Sequence, residues 1–336
     1  MNERDIINLL HGEAASERNS LVLGIGDDCA VIEKSPEQYW LVTMDTLVET
    51  VHFDPLWHPA EKIGRKAVAV NVSDIAAMGG TPKFIFLSLA LPADFDRNWL
   101  QQFTKGIKGS CQEYECILAG GDTVKSPAGI VITITVIGEV ESKKTLYRKN
   151  ARPGDKVWVS GFLGQAAAGL ELCRTRKKYK NEPALQLLVE SHLNPQPRVK
   201  LGRMLAQSGL VHSMMDLSDG LASDLAHICE QSGVGAVIDS AKLPLGVPLQ
   251  QAAQMLGIDS IELMITGGED YELIFTAPTG SRQHLDTIAL ESGINLSCIG
   301  EITKGQGVQI RKHVTGDDDH RLIDITFAGF DHFQSS

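Results

Sequence analysis

Short apolar runs alternate with longer, periodically apolar stretches along the chain. The short runs are rich in β-branched and large apolar residues, and glycine, proline or polar residues flank them, which is typical of β-strands. Five strands are predicted in this way: Trp40–Met44, Phe84–Leu91, Ile130–Ile137, Lys156–Ser160 and Glu272–Thr276.

The longer stretches predict helices. Residues Glu61–Met78 place their apolar side chains roughly along one stripe, as in a helix with one buried face. Asn71 and Asp74 in this segment are three residues apart and therefore share a face. A second helix is predicted around Trp99–Cys111, and a third after Asp219.

The clearest boundary is the segment Lys149–Asp155, where a basic turn with Pro153 and Gly154 precedes a new strand. A chain of 336 residues exceeds the size of most single hydrophobic cores. We therefore expect two domains, residues 1–150 and 151–336. The alternation of strands and helices predicts an α/β or α+β protein.

The second half opens with a strand, a glycine-containing turn and an alanine-rich helix (VWVSGFLGQAAAGLEL, residues 157–172). Such a turn leaves backbone N–H groups free at the start of a helix, where a phosphate can bind. The same residues could equally form an ordinary connecting turn between a strand and a helix. The sequence leaves both interpretations open.

Composition narrows the class of protein. The hydrophobic fraction of 43% and the charged fraction of 22% are ordinary for a globular chain, and the net charge of −11 argues against nucleic-acid binding. No apolar stretch approaches the ~20 residues of a membrane span, and the N-terminus does not resemble a signal peptide. The six cysteines show neither a CxxC pair nor zinc-type spacing, which is typical of reduced thiols. We expect a cytoplasmic protein without nucleic-acid or membrane partners.

Five short acidic clusters lie next to glycine or small polar residues. They are GIGDD at 24–28, TMDT at 43–46, NVSD at 71–74, GGDT at 120–123 and DLSDG at 216–220. An ionised aspartate is costly to bury unless it is paired or bound to metal, and several together raise one another's pKa. Hard cations such as Mg²⁺ relieve that repulsion and bind carboxylate and phosphate oxygens. The pattern predicts a site with several Mg²⁺ ions that acts on phosphates.

The single clusters are less specific than the set. Asp45 follows a predicted strand, so we place it at the carboxyl end of that strand, where α/β proteins bind ligands. Asp74 lies in a mostly apolar helix and needs a partner, either a metal ion or a salt bridge. A predicted helix begins near Asp216, Ser218 and Asp219. These are three polar side chains within four positions, whereas an N-cap requires only one. Neither a Walker A sequence nor a kinase-type glycine loop with an HRD segment is present, so ATP would bind in another way.

The order and spacing of the motifs resemble one family. The chain contains, in this order and at family-like spacing, GIGDDCAVI, DTLV with a following His-Phe, NVSDIAAMG, GGDT, DLSDGLASDL, GGEDYEL and the terminal GFDHF, and the resemblance extends from about residue 3 to 333. Together they resemble the bacterial thiamine-monophosphate kinases, which belong to the aminoimidazole-ribonucleotide-synthetase-like (PurM-like) ATP-binding superfamily. GGEDYEL in combination with GIGDD and DLSDG is specific, whereas each motif alone is weak.

The resemblance implies a two-domain α/β fold of the α+β type. Its N-terminal domain would bind ATP and Mg²⁺ and pair with a second copy through its sheet, and a C-terminal α/β domain would complete the active site. The implied reaction is the ATP-dependent phosphorylation of thiamine monophosphate to thiamine diphosphate, with several Mg²⁺ ions, in a homodimer. We expect direct in-line transfer without a covalent enzyme intermediate.

The resemblance also implies residue roles. Asp45, Asp122 and Asp216 would carry the catalysis. The metal ligands would be Asp28, Thr43, Met44, Asp45, Asp74, Asp122, Asp216 and Asp219. The nucleotide contacts would be Tyr114, Gly121, Asp122, Arg148 and Ser218. Thiamine monophosphate would bind to His52, Glu269 and Phe330.

Two of these positions depart from the family pattern. Relatives often have Ser-Thr where this chain has Thr43 and Met44, and a thioether is a poor Mg²⁺ ligand, so Met44 would bind only through its backbone carbonyl. Phe330 stands where relatives often have Tyr or Trp. It keeps an aromatic face for the cationic thiamine rings but loses the polar group.

Four other functions compete with this one. Ring closure to an aminoimidazole nucleotide and selenophosphate synthesis belong to the same superfamily, although the latter would require a reactive Cys or selenocysteine with a Lys ahead of GIGDD. A metal-dependent phosphatase would release phosphate without consuming ATP. An acidic protein that binds divalent metal only for structure or regulation would show no turnover.

Overall fold

The computed structural model describes residues 5–7, 9–10, 20–175, 182–313 and 320–330. Its strands form two mixed sheets. The strands are β1 Leu21–Leu23, β2 Ala30–Ser35, β3 Gln38–Val48, β4 Thr81–Leu91, β5 Ile117–Lys125, β6 Val131–Glu141, β7 Lys156–Ser160, β8 Ser213–Asp216, β9 Gly235–Asp239, β10 Leu273–Ala277, β11 Leu296–Thr303, β12 Gly307–His313 and β13 His320–Asp324.

Helices pack on both sheets. The longer ones are α1 Ala60–Ala77, α2 Arg97–Glu113, α3 Gln165–Thr175, α4 Pro183–Leu193, α5 Val199–Ser208, α6 Leu221–Ser232, α7 Val247–Leu256, α8 Ser260–Thr266 and α9 Arg282–Ser292. Short 3₁₀ segments lie at Ser142–Lys144, Ser240–Lys242 and Thr279–Ser281. In the described part of the chain, every helix is too short or too polar to cross a membrane.

The N-terminal sheet has the strand order β1-β2-β3-β6-β4-β5, and its neighbours are antiparallel except for the parallel pair β4 and β5. The C-terminal sheet has the order β13-β12-β9-β11-β7-β10-β8, in which only β9 and β12 run parallel. The two-domain α/β fold expected from the sequence is therefore confirmed. The boundary at residue 150 falls between β6 and β7 and stays a prediction.

All five predicted strands are present, Lys156–Ser160 with the predicted ends and the other four with altered ends, and the three predicted helices correspond to α1, α2 and α6. Two details differ from expectation. β3 continues three residues past Asp45 to Val48, so Asp45 lies inside the strand and not at its carboxyl end. The GGDT motif lies within β5, a strand that the sequence did not indicate.

Helix α1 lies between the two halves of the molecule. It packs on β3, β4 and β6 of the N-terminal sheet and also contacts β8 and α5 of the second half. Its buried residues accordingly surround the helix rather than follow one stripe, and they include the polar Lys66, Asn71 and Ser73. Polar side chains in such a position need partners, and those partners define the site.

Candidate functional site

Three aspartates from distant parts of the sequence meet where α1 contacts both sheets. Asp28 lies in the turn before β2, Asp74 in the last turns of α1 and Asp216 at the end of β8. Each offers a carboxylate oxygen, and these oxygens lie within 4.8 Å of one another. The convergence predicted from the acidic motifs is thus observed for these three residues.

Burial and mutual repulsion favour the protonated form of these carboxyl groups. Burial, together with the nearby charge of Asp28, raises the pKa of Asp216 to about 8 and that of Asp45 to about 6. Burial also raises the pKa of Asp28, and burial with the charges of Asp45, Asp216 and Asp28 raises the pKa of Asp74. A cation bound among them would hold all four ionised at neutral pH.

Strand β3 and helix α1 hold one side of the cluster. The hydroxyl of Thr43 donates a hydrogen bond to Asp74, and the backbone N–H of Asp45 donates to Oδ1 of Asn71 at 3.0 Å. Asn71 and Asp74 therefore face the same strand, as their spacing predicts. Ser73 on α1 donates to Oδ2 of Asp216 at 2.6 Å, which connects the two halves at the site.

Arg148 pairs with the GIGDD turn. Its guanidinium nitrogens Nη2 and Nε lie 2.5 and 3.0 Å from Oδ1 of Asp28. Its backbone N–H lies 3.2 Å from Oδ2 of Asp27, a carboxyl group whose pKa is raised to about 7 by burial and by the charge of Asp28. The second oxygen of Asp28, Oδ2, is buried without a hydrogen-bond partner among the described residues. That oxygen is a free ligand position for a cation.

The backbone of the DLSDG turn binds Glu269 and Phe330, two of the three residues that resemble thiamine-phosphate contacts. The backbone N–H of Glu269 donates to the Ser218 carbonyl at 2.8 Å, and the backbone N–H of Phe330 donates to the Asp219 carbonyl at 3.0 Å. Asp224, on the first turn of α6, accepts from the N–H groups of Asp219 and Gly220 at 3.3 and 3.1 Å. The structure thus brings Ser218, Asp219, Glu269 and Phe330 together.

Each carboxylate of the GGEDYEL segment has its own partner. Asp270 accepts from the N–H groups of Gly164 and Ala166 at 2.6 and 3.1 Å, where α3 begins. Glu272 binds Arg198 and the hydroxyl of Ser160. A carboxylate therefore already occupies N–H groups at the point where the SGFLG turn meets α3, and this favours the interpretation of that turn as a simple connection between a strand and a helix.

Glu269, a partly buried residue, forms an ion pair with a fully buried lysine. Its Oε1 lies 2.6 Å from Nζ of Lys66, and its Oε2 lies 3.0 Å from Nδ1 of His192. Burial alone would raise the pKa of Glu269, but the charge of Lys66 and the contact with His192 outweigh it and lower the pKa. The side chain is therefore ionised at neutral pH. His52, at the turn after β3, accepts a hydrogen bond at Nδ1 from the N–H of Val48 at 3.0 Å.

Two predicted ligand positions lie apart from the acidic cluster. Successive pairing places Thr46, Thr133, Ser88 and Asp122 in one row across β3, β6, β4 and β5. With strands about 4.8 Å apart, Asp122 lies about 14 Å from the strand that carries Asp45. The side chain of Met44 points to the sheet face opposite Asp45 and is 65% exposed.

Tyr114 and Gly121 belong to the same part of the fold as Asp122, at or just before β5. Tyr114 follows the last turn of α2, shortly before β5 begins. Gly121 has φ of +154°, and a Cβ at this position would lie 1.8 Å from the carbonyl oxygen of Leu87. Only glycine fits there, because β5 approaches β4 so closely.

Sequence reasoning missed three residues of the site. Lys66 and Ser73 lie in the apolar α1 segment, and Asp224 lies eight residues after Asp216. The available signal was the same for each: a polar side chain at a position where the apolar pattern predicts burial. Their partners, Glu269, Asp216 and the DLSDG turn, could not be read from the local sequence.

Comparison with known proteins defines the class first. Residues 26–140 match the family model of the AIR synthase related protein N-terminal domain, and residues 152–313 match that of its C-terminal domain. The thiamine-monophosphate kinase of Haemophilus influenzae is 38% identical over 100% of this chain and 99% of its own length. Within the AIR synthase-related class, the chain belongs to the thiamine-monophosphate kinase family.

Solved structures agree with this assignment. A structure described as AaThiL complexed with AMPPCP and TMP has a TM-score of 0.82 and 35% identity, and it covers 96% of both chains. The thiamine monophosphate kinase of Aquifex aeolicus has a TM-score of 0.78 and 34% identity over 92% of this chain and 98% of its own. The resemblance inferred from the motifs is confirmed.

Proposed function

We propose that this protein transfers the γ-phosphoryl group of ATP to the phosphate of thiamine monophosphate, which yields ADP and thiamine diphosphate. Full-length relatives carry the name of this activity, and a structural relative binds AMPPCP and TMP. The observation in this chain that carries the proposal is the buried cluster of Asp28, Asp74 and Asp216, whose oxygens suit cations that bind phosphates.

The cluster fits Mg²⁺. Its donors are carboxylate oxygens, and one of them is buried without a partner among the described residues. Burial and, after it, the charges of neighbouring carboxylates raise the pKa of Asp74, and a divalent cation would offset both effects. Bound Mg²⁺ would offset the negative charge of two phosphate groups brought together. The proposed ligands are Asp28, Thr43, the backbone carbonyl of Met44, Asp45, Asp74, Asp122, Asp216 and Asp219, and among them Asp45, Asp122 and Asp216 are proposed to be catalytic.

The acceptor needs no strong general base, because a phosphate monoester is already largely anionic at pH 7. An oxygen of thiamine monophosphate attacks the γ-phosphorus, the bond from that phosphorus to the β,γ-bridging oxygen breaks, and ADP leaves with the electron pair. The protein aligns the reactants. Tyr114, Gly121, Asp122, Arg148 and Ser218 are proposed to hold the nucleotide, and His52, Glu269 and Phe330 are proposed to hold thiamine monophosphate.

The outer face of the N-terminal sheet supports a homodimer. Met44 and Phe86 pair with the same residue, Thr135, and both are exposed on this face, with Phe84 next to Phe86 on the same strand. Exposed apolar side chains on one side of a sheet are typical of a surface that packs against a partner. Asp122 lies about 14 Å from the strand of Asp45, so we propose that a second copy, packed on this face, completes the site.

We propose that the enzyme works in the cytoplasm, which the six free thiols support.

The test is an assay of the purified protein with ATP, MgCl₂ and thiamine monophosphate, in which chromatography resolves thiamine diphosphate and ADP. We expect equal amounts of both products, and EDTA should abolish them. ADP without thiamine diphosphate would indicate a different acceptor. Phosphate release without ATP consumption would indicate a phosphatase, and the absence of any turnover would favour a protein that only binds metal.

A further inference from the structure

Lys66 is a charged side chain in the interior of the molecule. It lies on α1, none of its surface is exposed, and its Nζ is 2.6 Å from Oε1 of Glu269. The same Nζ donates a hydrogen bond to the carbonyl oxygen of His52 at 3.4 Å. A buried ammonium group costs free energy unless it is paired. Its two partners come from opposite halves of the molecule, and both are proposed thiamine-phosphate contacts.

The backbone of Glu269 is itself constrained. Its φ is +67°, a conformation that non-glycine residues seldom adopt, and its N–H is bound to the Ser218 carbonyl. Both carboxylate oxygens are in contact with charged or polar side chains, Oε1 with Lys66 and Oε2 with His192. The side chain is therefore fixed in place as well as ionised.

We propose that Lys66 is a positioning residue for the thiamine-phosphate half of the active site. By binding the Glu269 carboxylate and the His52 carbonyl at once, it sets the separation of two substrate contacts that lie on different domains. The inference rests on the proposed function, since it is that function which makes His52 and Glu269 substrate contacts.

Other polar contacts already connect the two halves. Lys62, one turn before Lys66 on α1, pairs with Glu190 on α4 at the surface, and Arg65 donates to Asn194 at 2.9 Å. A lysine that served only to join the halves could do so at the surface, where the cost of burial does not arise. The interior placement of Lys66 is explained by the residues that it binds.

The first experiment compares Lys66→Gln with Lys62→Gln, a matched variant that removes a surface ion pair between the same helix and the same half. In Lys66→Gln we expect the KM for thiamine monophosphate to rise by at least about tenfold, because a charge-assisted contact of this kind is lost. The KM for ATP should stay within about twofold, and both constants should stay within about twofold in Lys62→Gln. A purely structural role would change both KM values together, and that result would overturn the proposal, as would an unchanged KM for thiamine monophosphate.

A second pair of variants decides the matter if Lys66→Gln alone does not fold. Glu269→Gln is compared with the double variant Lys66→Gln/Glu269→Gln, which leaves no unpaired charge in the interior. The contact of Lys66 with Glu269 is 2.6 Å long and that with the His52 carbonyl is 3.4 Å, so Lys66 acts chiefly through Glu269. The two variants should therefore have KM values for thiamine monophosphate within about threefold of each other, because effects within one interacting unit are not additive. A further rise of more than about threefold in the double variant would overturn the proposal.

The outcomes separate this inference from the proposed function. A wild-type protein that forms no thiamine diphosphate would refute the proposed function before any variant is made. An active wild-type protein whose KM for thiamine monophosphate is the same in Lys66→Gln would refute only the role of Lys66.

Discussion

Repulsion acts among the carboxylates of Asp28, Asp74 and Asp216 in the folded protein. Neighbouring side chains relieve only part of it. Arg148 compensates only Oδ1 of Asp28, and Ser73 and Thr43 each donate one hydrogen bond to a neighbouring carboxylate. These contacts leave the pKa values of all three residues raised. The three aspartates therefore form a site that favours a positively charged ligand.

Changing Asp45 to Asn should separate activity from stability. The backbone N–H of Asp45, not its carboxylate, is bound to Asn71, so the variant should keep the local structure. We expect kcat to fall by about 10²–10³, as for the loss of one preorganised electrostatic group. The assay measures thiamine diphosphate formation at saturating substrates.

Asp286→Asn is the control for this experiment, because it makes the same chemical change on the exposed surface of α9 and should leave kcat unaltered. Near-normal turnover by Asp45→Asn would exclude Asp45 as a metal ligand.

Without metal, stability should fall as the pH rises. The pKa of Asp45 in the folded protein is about 6, that of Asp27 about 7 and that of Asp216 about 8, against an ordinary value of 3.8. The folded state therefore binds more protons than the unfolded state between pH 4 and 8, so the stabilisation is full below about pH 4 and is lost towards pH 8. Thermal unfolding in EDTA at a series of pH values measures this trend.

Saturating MgCl₂ should abolish or reverse the same trend, because bound Mg²⁺ stabilises the ionised carboxylates of the folded state. Identical pH profiles in EDTA and in MgCl₂ would contradict a metal site at this cluster.

Helix α1 is the element on which the site depends. It contributes Asn71, Ser73 and Asp74 to the acidic cluster and, two turns before Ser73, Lys66 to the ion pair with Glu269. Its apolar period predicted the helix, and the apolar stripe is buried as its pattern indicates. Burial also extends around the rest of the helix, because the N-terminal sheet covers one side and the second half of the chain covers another. A local sequence pattern indicates that a residue is buried, but it does not indicate which element of the fold covers that residue.

Close contact between α1 and α2 should make Gly106 intolerant of a side chain. A Cβ at Gly106 would lie 1.9 Å from the carbonyl oxygen of Glu61 on α1. Alanine favours a helix over glycine by up to about 1 kcal/mol, but overpacking costs about 1–3 kcal/mol or more and displaces α1. We expect Gly106→Ala to lose about 1–3 kcal/mol of unfolding free energy in urea.

Gly280→Ala is the matched control, because a Cβ there meets no atom within 4 Å. Its unfolding free energy should stay within about 0.5 kcal/mol of that of the wild type. Equal stability of Gly106→Ala and the wild type would show that the two helices can move apart without cost.

Strand β5 was not predicted from the sequence, because its residues lack the pattern of a strand. Its residues, ILAGGDTVK, include two glycines and do not alternate between apolar and polar, because β5 is an edge strand whose residues are all exposed. Its position follows from pairing with β4, and Gly121 is required by that pairing. The GGDT motif was recognisable in the sequence, whereas its strand was not.

At the scale of the whole molecule, the distance between Asp122 and the acidic cluster predicts that two copies share each active site. Asp45→Asn and Asp122→Asn homodimers should each be nearly inactive. After denaturation and refolding as a mixture, half of the dimers should be mixed, and each of these would have one intact site, which gives about a quarter of wild-type activity. Activity measured before and after mixing tests this.

If Asp45 and Asp122 act within the same chain, mixed dimers contain no intact site, and the mixture stays inactive. Wild-type protein carried through the same refolding gives the reference value. Gel filtration of the mixture establishes that dimers form, so an inactive dimeric mixture would overturn the shared site.

The sequence by itself determined the helices and strands with strong apolar periods, the acidic motifs and the family, because each depends on residues that are close along the chain or on their order. The tertiary structure decided which of these residues meet. Asp28, Asp74 and Asp216 converge, and Lys66 reaches Glu269, because α1 packs between the two halves of the molecule. Asp122 lies apart because β5 forms the edge of its sheet. Such contacts join residues that are distant in sequence, and only the packing of whole elements brings them together.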